Sequence, residues 1–202
     1  MGSTPADQLA QALDTTERLI NGIGDDQWTN ATPCTDWTVR DLVNHVVFGN
    51  WLFAGLLAGN QPPPLDEMLR QQSTDRLAAD PAGAYRASAD ALLESFRQPG
   101  VLEQVFAVPI GPVPGIVALH LRIAEALVHG WDIAEATGQS GGYPDDLAEQ
   151  ELAFSRDKMA DIPPGRRPFG PPQPIADDAS AIDRLAAALG RPRRGSRRAL
   201  PN

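Results

Sequence analysis

Residues Ile116–Ala136 read IVALHLRIAEALVHGWDIAEA, and the placement of this stretch decides the fold. Ile116, Leu119, Ile123, Leu127 and Ala134 recur at helical spacing along one side, while Ala118, Leu121 and Val128 cover the other. A helix apolar on nearly every side belongs at the centre of a helical packing, not on its surface. Gly138 follows the last apolar position and is the residue type that ends a helix in the left-handed conformation. A second run of the same kind begins after Thr38 and reaches Leu57, carrying Val43, Val46, Val47, Phe48, Trp51, Leu52 and Phe53. Thr38 with Asp41 three residues on has the spacing of a capping box, so this helix has a defined start.

Outward from these two, Leu9, Ala12, Leu13, Thr16 and Ile20 predict a helix over Thr4–Ile20 that Gly22 and Gly24 stop. A further helix fits Pro81–Phe96, where proline suits the first turn. Weaker or shorter helical patterns fall at Asp66–Gln72, Asp145–Met159 and Asp178–Leu189. Trp28–Asp36 reads as loop, because its threonines, Asn30 and Pro33 compete with helix through side-chain hydrogen bonds. Gln98–Gly115 mixes Val101, Val105, Phe106, Val108 and Ile110 with Pro109, Pro112 and Pro114, and reads as a structured loop without strand alternation. The expected class is all-α, a four-helix bundle with long connections and a short C-terminal helix. Residues 1–190 form the bundle. Residues 191–202, with Arg191, Arg193, Arg194, Arg197 and Arg198 among Pro and Gly, read as a basic flexible tail, solvated rather than phosphate-binding.

At 202 residues with 42% apolar and 21% charged composition, the chain is long enough for one sizeable core. Seventeen basic against 26 acidic residues give a net charge of −9, which argues against a nucleic-acid partner. The single cysteine, Cys34, excludes an internal disulfide and fits a reducing compartment. No stretch of 18 or more apolar residues and no N-terminal signal core is present, so a cytoplasmic protein without a membrane partner is expected.

Both all-apolar helices carry ionisable residues, and buried charge is costly unless paired or bound to metal. Glu125 and His129 stand at i and i+4 on one face, with Asp132 on the same stripe. His45 shares its stripe with Leu42, Phe48 and Leu52 and so points into packing. If the two helices are neighbours, His45, Glu125 and His129 make a two-imidazole, one-carboxylate set that suits Zn²⁺, with Fe²⁺ or Ni²⁺ as other candidates, and leaves a position open for water or substrate. Asp132 then orients a ligand or handles a proton. The residues alone leave the bland reading open: Glu125 and His129 as a hydrogen-bonded pair, His45 as a satisfied core histidine. Cys34 reads as packing, His120 as structural or partly exposed, and Trp37, Trp51 and Trp131 as core or cavity wall.

Two blocks carry a resemblance. Ala31–His45 (ATPCTDWTVRDLVNH) followed by Glu125–Ala134 (EALVHGWDIA) resembles the DinB/YfiT-like superfamily, and within it the mycothiol-dependent maleylpyruvate isomerase N-terminal-domain family of actinobacterial metal-binding proteins. Phe169–Arg191 is similar as well, so the resemblance spans nearly the whole chain. It implies a DinB-like bundle that binds a divalent metal, usually zinc, through His45, Glu125 and His129, with Asp132 at an acidic catalytic position. It also implies mycothiol as cosubstrate, a low-molecular-weight thiol activated at the metal and transferred to a small electrophile. The isomerase has a further C-terminal domain with a catalytic arginine that this sequence does not contain, so S-transfer is expected rather than isomerisation of maleylpyruvate. A non-catalytic metal- or ligand-binding bundle is the alternative, and a homodimer is open.

Overall fold

The computed structural model describes residues 3–34, 36–161 and 169–192. Its helices begin where the sequence supplies caps. Thr4 and Asp7 close a reciprocal capping box on α1 (Pro5–Asn21), and Thr38 and Asp41 do the same for α2 (Val39–Leu57). α3 (Leu65–Ser73) is short and buries none of its residues. Asp80 accepts from Gly83 N at the start of α4 (Pro81–Phe96). α5 (Gly115–Thr137) closes at Gly138, whose φ of 73° is the left-handed stop read from the sequence. α6 (Asp145–Asp161) and α7 (Ala181–Ala188), the latter capped by Ser180, complete the set.

α1 packs against α4 and α5, and α2 packs against the same two, so these four close a ring around one core. α6 and α7 pack on each other and on α5, which leaves α5 covered on most sides. Sixteen of its residues are buried, which is why its sequence shows no polar stripe. Leu119, Ile123 and Leu127 are fully enclosed, and burial of such side chains contributes about 1.5–3 kcal/mol apiece. Among the described residues no helix is long and apolar enough to cross a membrane.

The structure departs from the sequence reading at Gln98–Gly115. β1 (Val105–Val108) and β2 (Gly111–Pro114) form an antiparallel hairpin, with Val105 opposite Pro114 and Val108 opposite Gly111. Phe106 and Val108 are the buried side of β1. Pro112 and Pro114 hide the strand from a pattern search, yet they fit because proline is tolerated where its missing N–H faces away from the partner strand. Of the two readings of Trp51, core or cavity wall, the second holds: it is 47% exposed and lines a surface cavity with Phe48 and Leu52.

Candidate functional site

The site lies where α2 meets α5, with a loop and the chain after α7 folded against it. The segment from Gln27 to Asn30 is held there by α5 itself: Gln27 Nε2 donates to Thr137 O and Asn30 Nδ2 to Ala136 O, both at 3.0 Å, meeting helix-end carbonyls that lack intrahelical partners. Trp37, at the end of this loop, sets its ring 4.7 Å from that of His45 and 6.3 Å from that of His129.

His45, Glu125 and His129 converge. Glu125 Oε2 is 3.5 Å from His45 Nε2 and 3.2 Å from His129 Nε2. The three residues offer ligand atoms that all lie within 4.8 Å of one another. Burial alone would push the Glu125 carboxyl up; the charge of His129 and hydrogen bonds from His129 and His45 outweigh it and hold Glu125 well below the usual carboxylate range. His129 shows the mirror case. Burial disfavours its cation, but Glu125 together with hydrogen bonds involving Asp132 and Cys34 carries it well above the ordinary imidazole range. His45, with fewer such partners, is pulled down by burial. Its Nδ1 is buried and has no hydrogen-bond partner among the described residues.

Two arginines flank the three. Arg122, one turn before Glu125 on α5, is buried and places Nη1 3.9 Å from Glu125 Oε2. Its Nη2 donates to Asn50 Oδ1 at 2.9 Å, and Asn50 in turn donates to Ser88 Oγ at 3.1 Å. The guanidinium lies over Gly49, where a Cβ would stand 3.0 Å from Nη1, and against the Phe53 ring. Arg191 is the second. Assigned by sequence to a solvated tail, it is instead 8% exposed and bonded to Asp132. Gly190 makes this turn possible: its φ is 86°, and a Cβ there would stand 2.8 Å from the Gly170 backbone. The remainder of the expected tail, 193–202, lies outside the described residues.

A cleft of about 320 Å³ opens onto the convergence. His45, Glu125 and Arg122 supply its polar wall; Phe48, Leu52 and Phe53 of α2, Val108 and Ile110 of the hairpin, and Phe169 supply apolar surface. Asp132 is not on that wall. It is fully buried, with Oδ2 3.0 Å from His129 Nδ1, on the opposite ring edge from Glu125.

The structure therefore brings His45, Glu125 and His129 together, and sets Asp132 behind His129 rather than in the cleft. His120 stays apart, paired through Nδ1 with Glu151 Oε1 at 2.7 Å. Cys34, read as packing, has its Sγ 3.0 Å from Arg191 Nη2. Arg122 carried a signal that could have been used, an ionisable residue three positions before Glu125 on an all-apolar helix. Arg191 and Cys34 had none, because both reach the site through long-range folding.

The mycothiol maleylpyruvate isomerase N-terminal domain family matches residues 9–134. Two uncharacterized proteins of Mycobacterium tuberculosis, from different strains, are each 36% identical to the chain over 183 residues, covering 90% of this chain and 94% of theirs. The crystal structure of the mycothiol-dependent maleylpyruvate isomerase superposes with a TM-score of 0.59 at 17% identity, over 74% of this chain and 68% of that one. A histidine-to-alanine mutant of that enzyme gives 0.58 at 16%. At such identity the structural likeness establishes the fold.

Proposed function

Because the chain belongs to the mycothiol maleylpyruvate isomerase N-terminal domain family, we propose that it holds a divalent cation, zinc foremost, on His45, Glu125 and His129 and serves a low-molecular-weight thiol, mycothiol, in transfer to a small electrophile. The observation that carries this reading is the meeting of His45 Nε2 and His129 Nε2 on one oxygen of Glu125 at the cleft floor.

The donors fit the group. Two imidazole nitrogens and a carboxylate are a ligand set of open, catalytic zinc sites. His129 Nδ1 faces Asp132, which is how ligating histidines are held so that the other nitrogen points at the ion. A bound divalent cation lowers the pKa of a coordinated thiol and so supplies a nucleophile at neutral pH. The chain's own residues do the rest. Glu125 stays ionised under the influence of His129, His45 and Arg122. The apolar walls favour an electrophile with hydrocarbon surface. Asp132 acts as a positioning residue, since it touches His129 and not the cleft.

Metal content of protein purified without added metal, followed by a bromobimane-type transfer assay with mycothiol before and after chelation, tests this. Stoichiometric metal and a chelator-sensitive rate are expected. Absence of metal from wild type, matching His45→Ala and His129→Ala, would overturn the metal site. Metal without any metal-dependent rate would leave a binding protein.

A further inference from the structure

His129 has a second edge, and its surroundings differ from those of the first. Cys34 Sγ, His129 Nδ1 and an Asp132 carboxylate oxygen form another triad whose ligand atoms lie within 4.8 Å of one another. A thiol, an imidazole and a carboxylate are the mixed donor set that thiophilic divalent ions such as Zn²⁺ or Cd²⁺ select. The triad already surrounds a positive group. Arg191 Nε lies 3.2 Å from both Asp132 oxygens, and Nη2 lies 3.1 Å from Oδ2, 3.0 Å from Cys34 Sγ and 3.5 Å from His129 Nδ1. A single nitrogen of the guanidinium thus reaches one donor atom of each member.

We propose that Cys34, His129 and Asp132 constitute a second site for a thiophilic divalent cation, and that the Arg191 guanidinium is the internal cation seated in it. The arrangement follows from charge and from the sharing of one ring. Asp132 is fully enclosed, and an enclosed carboxylate needs a counter-charge. Arg191 provides one through Nε and Nη2 and fills the Nδ1 edge of His129. With Arg191 in place, Nε2 alone is free to serve an ion, on the Glu125 edge. The seat is built rather than accidental: Gly190 turns the chain, Arg191 N donates to Ala186 O at 2.9 Å, and the guanidinium packs against Phe169.

The inference rests on the proposed function only for the ion on the Glu125 edge, and its test separates the two. Chelator-stripped full-length protein is titrated with Cd²⁺, reading bound metal and the near-ultraviolet thiolate-to-metal charge-transfer band, which only Cys34 can give. Wild type and Arg191→Lys are expected to bind about one equivalent with no such band, and Arg191→Met about two, with the band appearing. Arg191→Met/Cys34→Ser loses the band and the added equivalent. A Cys34-dependent band in wild type overturns the seating of Arg191. A natively helical Arg191→Met without the band overturns the second site, and Arg191→Gln carries the same reading if the Met variant does not fold. Loss of the band-free equivalent from wild type counts against the His45–Glu125–His129 reading and leaves the Cys34 band as an independent readout.

Discussion

His129 Nδ1 lies 3.0 Å from Asp132 Oδ2, three residues further along the same helix, and both groups are almost wholly shut from solvent. This contact sets which nitrogen of His129 faces Glu125. Asp132→Asn keeps the shape but removes the charge that orients the ring and anchors Arg191. Metal affinity, read by competition with a chromophoric chelator, is expected to fall about 10–100-fold. An unchanged affinity would remove Asp132 from the support of the site.

Glu125→Gln changes the shared oxygen atom into an amide and takes away the negative charge between two histidines and Arg122. Purified protein is expected to carry no stoichiometric metal, and chelation should no longer lower its Tm. Wild type should lose Tm on chelation, because a ligand bound only to the native state stabilises it by about 2.7 kcal/mol at a hundredfold excess over Kd.

Gly130, next to His129, faces Tyr143. A Cβ at Gly130 would stand within bonding distance of the phenol oxygen, which hydrogen-bonds to Thr16 Oγ1 at 2.8 Å and Ala126 O at 3.1 Å. Gly130→Ala forces these groups apart and is expected to cost about 1–3 kcal/mol or more in urea unfolding. A loss below about half a kcal/mol would mean that Tyr143 can move aside, as surface positions do.

Glu151 is fully enclosed. Burial raises its carboxyl above the ordinary 4.5, opposed by His120 and Gln150, and its Oε2 has no hydrogen-bond partner among the described residues. A raised folded-state pKa makes the native state bind the proton more tightly than the unfolded state. Stability from this group is therefore full below 4.5, declines as pH rises towards the raised value, and is level above it. Glu151→Gln should lack that decline. Parallel pH profiles of urea midpoints for the two proteins would refute it.

Much of this was legible in the chain because the information was local. Thr4 with Asp7, Thr38 with Asp41, and Gly138 are end signals within a turn of the helices they bound. Glu125 and His129 share a face by spacing alone, and His45 lies on a stripe of apolar neighbours. The hairpin was hidden because a two-stranded ribbon tolerates prolines that a search for strands rejects. Arg191 was hidden for another reason. Its neighbours in sequence are those of a solvated tail, and only the turn at Gly190 and the distant Asp132, 59 residues away, make it part of the interior. Cys34 is the complement: a loop thiol with no partner nearby in sequence, whose neighbours arrive from α5 and from beyond α7. Local pattern reports which residues share an element's face, and it is silent about which ends of the chain meet.

Pro112 and Pro114 have one more result. Gly115 N donates across to Gln104 O, so alternate residues back along β2 turn their nitrogens inward, and both prolines fall on the outward side. That rim of the ribbon presents carbonyls and no amide donor from Pro112 or Pro114, and a foreign strand cannot add there without leaving those carbonyls half-matched. That edge of the ribbon is thereby closed to growth. It resists templated aggregation while Val108 and Ile110 stay free to serve as cleft wall.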